Sequence, residues 1–178
     1  MFCPIFLVAQ EKTSAKLATY MQAQADVNNF SGTVLVTKNG SILLKKAYGL
    51  ADYEWRIKNT IDTKFQLSSV TKQFTAAAIL QLVDSGRLSL NDKLSKFFPD
   101  YPKADNISIH MLLSHTSGLA MGFKEIALSS ISSDSAYAAI KKIPFECSPG
   151  TKSAYSNIGY YLLAKIIEKV SVSITLLS

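Results

Sequence analysis

The strongest constraint on the fold is a pair of strand patterns joined by an Asn-Gly turn in the first third of the chain. Residues 33–37 (TVLVT) and 42–48 (ILLKKAY) are rich in apolar and β-branched side chains, and Lys38-Asn39-Gly40 lies between them. Asn-Gly is the strongest short signal for a two-residue hairpin turn, because both positions of that turn require positive φ. We therefore predict an antiparallel β-hairpin over residues 33–48.

The other strong patterns in the chain predict helices. Residues 12–28 have apolar residues at helical spacing, and so does the stretch from residue 69 to Gly86, a glycine typical of a helix C-terminus. In this second stretch we expect the apolar face to consist of Phe74, Ala77, Ala78, Leu80, Leu82 and Val83. Further helices are predicted over residues 91–98, 107–114, 134–142 and 158–170, with a serine-rich loop at 129–135. The chain thus consists of a short αβ unit followed by a long helical stretch.

The first nine residues are predicted to be an export signal. Residues 2–9 (FCPIFLVA) form an unbroken apolar run that ends at Ala9, an acceptable cleavage residue, before a polar segment. The run is too short to span a bilayer and lacks a basic segment before it, so we expect the start of the signal to be incomplete. A buried N-terminal strand is the alternative interpretation. A signal predicts that the protein is secreted or periplasmic.

The composition argues against two classes of function. The formal net charge is +6, from 19 Lys and Arg against 13 Asp and Glu. The lysines are scattered, at most in pairs such as Lys45-Lys46, whereas nucleic-acid binding needs a concentrated basic stripe. Two histidines and two cysteines, Cys3 and Cys147, provide neither a disulfide framework nor the spacing of a metal site. We therefore expect no nucleic-acid partner and no bound metal.

A candidate nucleophile lies at residues 69–72 (SVTK). A serine must be activated by a nearby base or cation. In a helix that starts at Ser69, the side chains of Ser69 and Lys72 are one turn apart and point to the same side. The helix N-terminus adds N–H groups and partial positive charge that suit an anionic intermediate. With this many serines and lysines, however, composition alone also predicts a Ser-X-X-Lys match by chance.

Two further polar motifs lie before the last predicted helix. In Tyr155-Ser156-Asn157, a tyrosine hydroxyl can shuttle a proton when a cation lowers its pKa, and an asparagine amide can hold a substrate carbonyl. The alternative is helix capping, because Ser156 and Asn157 are both good N-cap residues. In residues 112–119 (LLSHTSGL), we expect His115 to hydrogen-bond backbone groups, as buried polar side chains usually do.

Together and in this order, the motifs resemble a known family. The chain is similar to serine β-lactamase-related hydrolases of the class C β-lactamase, D,D-peptidase and esterase type. The similarity covers roughly residues 15–170 and lies in three segments, FQLSSVTKQFTAAAILQLVDSGRLSLNDKLSKFFPDYP, ISIHMLLSHTSGL and SPGTKSAYSNIGYYLLAKIIEKVS. The resemblance implies an α/β (α+β) fold in which an antiparallel sheet is flanked by helices and accompanied by a mostly helical region.

The resemblance also implies a role for each matching residue. Ser69 is the acylated nucleophile, and Lys72 is its electrostatic partner and proton acceptor. Tyr155 relays protons to the leaving group and activates the deacylating water, while Asn157 holds the amide carbonyl of the substrate. The HTSG stretch has a structural role, so neither its histidine nor its serine is assigned to catalysis. No metal or organic cofactor is implied.

The sequence departs from the family pattern in its last part. The family's third motif, Lys-Thr-Gly or His-X-Gly on a late strand, does not occur here, and residues 171–178 form an atypical tail. We therefore expect residues 10–170 to be the N-terminal part of the domain, truncated before the C-terminal strands.

The implied reaction is acyl transfer through an acyl-enzyme on Ser69, with a β-lactam or a D-alanyl peptide as the substrate. An esterase or D-aminopeptidase of the same family is the alternative within the enzymes. Because the third motif is missing, two further interpretations stay open: a non-catalytic penicillin-binding module, and an inactive fragment.

Overall fold

The computed structural model describes residues 4–122 and 133–175, and the chain divides into two compact units, Met1–Gln66 and Leu67–Ser178. The first unit contains helix α1 (Pro4–Asp26) and strands β1 (Gly32–Lys38), β2 (Ser41–Tyr48), β3 (Leu50–Asp52) and β4 (Ile57–Lys58). The second contains helices α2 (Lys72–Asp84), α3 (Ile109–Leu113), α4 (Ser133–Ile140) and α5 (Asn157–Thr175). Short 3-10 turns lie at Ser68–Thr71, Leu94–Lys96 and Ala104–Asn106. The predicted α/β class is confirmed.

The predicted hairpin is confirmed in the first unit. Strands β1 and β2 pair antiparallel over their whole length, with Gly32 opposite Tyr48. Asn39 and Gly40 form the turn with φ values of 50° and 76°, because a two-residue turn that follows the twist of the strands needs positive φ at both positions. Strands β3 and β4 form a second antiparallel pair.

Helix α1 begins earlier than the sequence pattern predicts. The pattern indicates a helix over residues 12–28, but the helix runs without interruption from Pro4 to Asp26. The alternative of a buried strand is therefore wrong for residues 4–9; proline favours the first helical position, where its missing N–H is not needed. The export signal stays a prediction. Within the described residues, no helix is both long enough and apolar enough to cross a bilayer.

The core of the second unit is organised around α5. Helices α2 and α3 both pack against it. The buried side chains of α5 recur at helical spacing and form one apolar stripe: Ile158, Leu162, Leu163 and Ile166. The buried side chains that face this stripe include Ile79 and Leu82 of α2 and Ile109 and Leu112 of α3. Helix α5 is therefore the element on which the rest of this unit is assembled.

Helix α2 ends as predicted but buries a face that only partly matches the predicted one. Gly86 has a φ of 71°, and the N–H groups of Gly86 and Arg87 donate to the carbonyls of Val83 and Leu82 at 3.0 Å each, which is the glycine-terminated Schellman motif. The predicted face is wrong at Phe74, Ala77 and Leu80, which are exposed, with exposed fractions of 60% for Phe74 and 51% for Leu80. It is confirmed at Leu82, which is buried, and at Val83, which packs against the core. The helix is apolar on more than one side, so spacing alone does not select the side that packs.

Two of the three short predicted helices form, and the third does not. Residues 107–114 contain α3, and α4 lies within one residue of the predicted start. Residues 91–98 form only the 3-10 turn Leu94–Lys96, because backbone groups of this segment pair with residues 107–109: the Leu94 N–H donates to the Ile107 carbonyl, and the Ile109 N–H donates to the Asp92 carbonyl. Of the predicted serine-rich loop, residues 129–132 lie outside the described residues, and the remaining three begin α4. Helix α5 continues beyond the predicted end at residue 170.

Candidate active site

Ser69 lies on the 3-10 turn that leads directly into α2. The residue before it, Ser68, has a φ of 46°, a left-handed conformation that is uncommon for a residue with a side chain. Lys72 is the first residue of α2, and its ammonium nitrogen lies 3.3 Å from the Ser69 hydroxyl oxygen. The predicted spacing thus brings the two side chains to one side of the helix start, where Ser69 is exposed to solvent and Lys72 is half-buried.

Tyr155 and Asn157 reach the same place from the start of α5. Ser156, between them, caps that helix: its hydroxyl accepts the Gly159 N–H at 3.1 Å and donates to the Ala120 carbonyl at 2.8 Å. Capping is therefore confirmed for Ser156. The two flanking side chains instead extend toward α2 and contact Ser69 and Lys72.

Three short contacts join the four predicted site residues. The hydroxyl oxygens of Ser69 and Tyr155 are 2.7 Å apart. The Lys72 ammonium donates to the Asn157 side-chain oxygen at 2.8 Å and to Ser69 at 3.3 Å. The ammonium also lies 4.9 Å from the centre of the Tyr155 ring. The nearby Lys72 ammonium, followed by the contact with Ser69, lowers the pKa of the Tyr155 hydroxyl, so the environment favours the deprotonated phenol more than water does.

His115 lies behind this cluster and is confirmed as a residue that hydrogen-bonds the backbone. Its Nδ1 accepts the Ser156 N–H at 3.1 Å. Its ring packs against those of Tyr155 and Tyr160, with centroid distances of 4.6 and 5.1 Å. Burial, and then the charge of Lys72, lower the pKa of His115. The uncharged imidazole is thus the form that this position favours.

Residues 115–121 are tied to the chain on either side of Tyr155 by backbone hydrogen bonds. The Ala154 N–H donates to the His115 carbonyl at 2.8 Å, and the Asn157 N–H donates to the Met121 carbonyl at 3.0 Å. Between these bonds, Gly118 has a φ of 74°, and a β-carbon there would lie 2.3 Å from the Cys147 carbonyl oxygen. Only glycine allows this close approach, so Gly118 sets the spacing between residues 115–121 and the segment that contains Cys147.

A comparison with known families decides where the chain belongs. The Beta-lactamase family model matches residues 17–175, which is most of the sequence. The chain belongs to the Beta-lactamase family. The resemblance inferred from the motifs is thereby confirmed, and with it the predicted fold.

Individual Beta-lactamase relatives show how much of the family's length the chain covers. "Protein flp" of Staphylococcus aureus (strain COL) is 35% identical over 147 residues, which are 78% of this chain and 30% of that protein. Teichoic acid D-alanine hydrolase of Staphylococcus aureus is 32% identical over 161 residues, 88% of this chain and 38% of that protein. The structure of a class C β-lactamase in complex with cefoxitin superimposes with a TM-score of 0.77 at 30% identity, over 92% of this chain and 46% of that one. The chain thus spans less than half the length of these relatives.

In this member of the Beta-lactamase family, the sequence reasoning located the four clustered side chains but missed two aromatic contacts. Tyr160 lies with its ring 5.5 Å from the Lys72 ammonium, and its hydroxyl donates to the Leu113 carbonyl at 3.1 Å. The contact of His115 with Tyr155 was also not predicted, because the two residues lie far apart in the chain and no local pattern links them. In the described ranges, no three His, Cys, Asp or Glu side chains lie close enough together to hold a metal.

Proposed function

We propose that this protein performs acyl transfer through an acyl-enzyme on Ser69, acting on a β-lactam or a D-alanyl peptide. The observation that carries the proposal is the position of the Ser69 hydroxyl, 2.7 Å from the Tyr155 hydroxyl and 3.3 Å from the Lys72 ammonium. A serine becomes nucleophilic when an adjacent group removes its proton. Here two groups that can move a proton lie within reach of the same oxygen.

In the proposed reaction Tyr155 starts deprotonated, with the Lys72 ammonium as its electrostatic partner. As the Ser69 oxygen attacks the carbonyl carbon of the substrate, Lys72 passes one of its protons to the Tyr155 oxygen and accepts the Ser69 proton in its place. The C–N bond then breaks, and Tyr155 returns the proton to the departing amine, which leaves the acyl group on Ser69. In the second half, a water molecule attacks the ester and Tyr155 takes its proton. Tyr155 then passes this proton to the Ser69 oxygen as the C–O bond breaks, which releases the acid and restores the Ser69 hydroxyl.

Asn157 is proposed to bind the substrate. Its side-chain oxygen accepts a hydrogen bond from Lys72 at 2.8 Å, which directs the amide NH₂ group away from the ammonium. An NH₂ group held in this orientation is a donor for the amide carbonyl of the substrate.

The substrate class is supported by the relatives and by the chemistry of the site. One relative is a teichoic acid D-alanine hydrolase, and one similar structure is a β-lactamase that holds cefoxitin. Acyl transfer to a serine serves amides and esters alike, so an esterase or D-aminopeptidase is the alternative within the same chemistry.

The second candidate is a penicillin-binding module that is acylated without turnover. It is favoured by one similar structure, that of a penicillin binding protein from Bacillus halodurans, which is 31% identical with a TM-score of 0.68 over 84% of this chain and 49% of that one. The two candidates share the first covalent step and differ only in the release of the acyl group. A single set of measurements therefore separates them.

The experiment treats the full chain with a fluorescent penicillin and locates the label by mass spectrometry, and it then follows the hydrolysis of nitrocefin, a D-alanyl-D-alanine peptide and p-nitrophenyl acetate. We expect label on Ser69, none in Ser69→Ala, and wild-type labelling in Ser171→Ala, where an exposed serine late in α5 is changed. Label without turnover supports the binding module. Equal labelling of Ser69→Ala and wild type contradicts both candidates.

The proposed substrates are components of the cell wall or drugs that act there, so we also propose that the protein works outside the cytoplasm. The apolar run at residues 2–9 supports this proposal. A fusion of residues 1–20 to a phosphatase that is active only after export tests this proposal. Activity of the fusion is expected, and phosphatase that stays in the cytoplasm contradicts it.

A further inference from the structure

The ring of His115 lies between two tyrosine rings directly behind the cluster of Ser69 and Lys72. The centroid distances are 4.6 Å to Tyr155 and 5.1 Å to Tyr160, with the planes tilted by 34° and 35°. Tyr155 is 40% exposed, so the core holds it only in part. His115 therefore provides one of the surfaces against which the Tyr155 ring rests.

We propose that His115 is a positioning residue for Tyr155, holding its hydroxyl on Ser69 through the ring contact and through an unprotonated Nδ1. The inference rests on the proposed function, because it concerns the residue that moves the proton there. His115 itself has no place in the reaction as proposed.

The hydrogen bond from the Ser156 N–H to Nδ1 is the second way in which His115 acts on Tyr155. This N–H belongs to the peptide group that joins Tyr155 to Ser156. Fixing that peptide plane restricts the ψ angle of Tyr155, and with it the direction in which the side chain leaves the backbone. Ring contact and hydrogen bond together thus limit both the position and the orientation of the phenol.

The backbone of His115 is held in place at the point where its ring meets Tyr155. Its φ of 59° is the left-handed conformation that commonly follows the end of a helix, and the Thr116 N–H closes the end of α3 by donating to the Met111 carbonyl at 2.9 Å. The Ala154 N–H donates to the His115 carbonyl at 2.8 Å. These backbone hydrogen bonds fix His115 relative to the residue directly before Tyr155.

The proposed role depends on protonation. Nδ1 can accept the Ser156 N–H only while it carries no proton, and in the imidazolium form two N–H groups would face each other. The titratable side chains that face His115 are Lys72 from α2 and Tyr155 and Tyr160 from α5 and the residues before it. Burial and the charge of Lys72 lower the pKa of His115, and both keep Nδ1 available at neutral pH.

Two substitutions separate the two contacts. Asparagine is the side-chain-bearing residue best suited to positive φ, and its oxygen can replace Nδ1 as an acceptor, so His115→Asn keeps the hydrogen bond and removes the ring. His115→Phe keeps the ring and removes the acceptor. His110→Asn is the matched control, because His110 is the chain's other histidine and is exposed on α3.

The first readout is the pKa of Tyr155, measured by NMR on protein with ¹³C-labelled tyrosine and assigned with Tyr155→Phe. If His115 holds the phenol near Lys72 and Ser69, both His115 variants raise this pKa toward its ordinary value of 10.0, whereas His110→Asn leaves it unchanged. The second readout is the rate of Ser69 labelling by a fluorescent penicillin. A displaced proton carrier is expected to slow the maximal rate by about 10²-fold without changing the half-saturating concentration.

The wild-type protein provides a test that needs no variant. As the pH falls and His115 becomes protonated, the Ser156 amide and the Tyr155 ring resonances are expected to shift at the same midpoint. Folded His115 variants with the wild-type Tyr155 pKa, or a Tyr155 ring signal that does not follow His115, overturn the proposal. If the wild type is never labelled on Ser69, the proposed function fails, while the two NMR measurements still decide the role of His115.

Discussion

The hydroxyl oxygens of Ser69 and Tyr155 lie 2.7 Å apart although 86 positions separate them in the chain. Each residue is at the start of a helix, Ser69 on the turn before α2 and Tyr155 two residues before α5. These two helices pack against each other. The contact between Ser69 and Tyr155 therefore depends on the packing of α2 against α5. A substitution that removes a reacting group and a substitution that disturbs this packing are expected to have different effects.

Tyr155→Phe tests the proton-transfer role of the hydroxyl. Phenylalanine keeps the ring contact with His115 but removes the oxygen that lies on Ser69, so we expect acylation to slow by about 10²–10⁴-fold while substrate binding changes little. Stopped-flow labelling with a fluorescent penicillin measures both quantities. The matched control is Tyr53→Phe, at an exposed tyrosine of the first unit; an unchanged rate in Tyr155→Phe would remove Tyr155 from the mechanism.

Lys72 is expected to be needed for more than its charge. In Lys72→Ala the rate of acylation is expected to fall on the order of 10³-fold, because Ser69 loses the group that accepts its proton. Arginine keeps the charge but cannot accept a proton, so Lys72→Arg should stay close to Lys72→Ala. Lys93→Ala, at an exposed lysine outside the site, serves as the control. Wild-type rates in Lys72→Arg would show that charge alone suffices.

Gly118→Ala is expected to destabilise the protein more than its backbone angle explains. Gly118 and Gly86 have similar φ values of 74° and 71°, but a β-carbon at Gly118 would clash with the Cys147 carbonyl, whereas Gly86 faces open space. We expect unfolding free energy to fall by about 1 kcal/mol in Gly86→Ala from the angle alone and by about 3 kcal/mol in Gly118→Ala. Urea denaturation of both variants measures the difference, and equal losses would contradict the clash.

We predict that the ion pair between Asp100 and Lys141 makes the stability of the folded protein sensitive to acid. Hydrogen bonds from Lys141, and then from Tyr137, lower the pKa of Asp100 below its ordinary 3.8. A lowered folded-state pKa stabilises the protein above the unfolded value, and this stability is lost as the pH falls through the folded value. We therefore expect the melting temperature of Asp100→Asn to fall less steeply below about pH 4 than that of the wild type. The variants Asp100→Asn, Lys141→Gln and their combination form a double-mutant cycle; additive effects at every pH would show that the pair does not contribute.

The elements that local sequence determines were predicted well. Asn39-Gly40 specifies its turn because few other residues adopt two consecutive positive φ angles, and Gly86 ends α2 for a similar reason. The predicted apolar face of α2 was wrong at three of its six residues, because the side of an apolar helix that packs depends on α5, far away in the sequence. Residues 91–98 form little helix because their backbone groups pair with residues 107–109, which no local pattern indicates.

The same distinction holds for the site. Ser69 and Lys72 were paired by helical spacing alone, and the structure has them 3.3 Å apart. Tyr155 was included only through a family resemblance, because nothing in its local pattern predicts proximity to Ser69. The Tyr155 contact of His115 was missed, since it depends on a left-handed residue in one segment meeting a helix start in another.

At the start of α5, a residue of the site is followed directly by a residue of the core, so we expect the two regions to unfold together. Asn157 contacts Lys72, and the next residue, Ile158, is already fully buried. Regions that open independently are usually those with few buried contacts. The amide protons at the start of α5 are therefore expected to exchange with solvent as slowly as those of Leu162 and Leu163. The site and the core form one cooperative unit, so heat should abolish labelling of Ser69 at the same temperature at which the second unit melts.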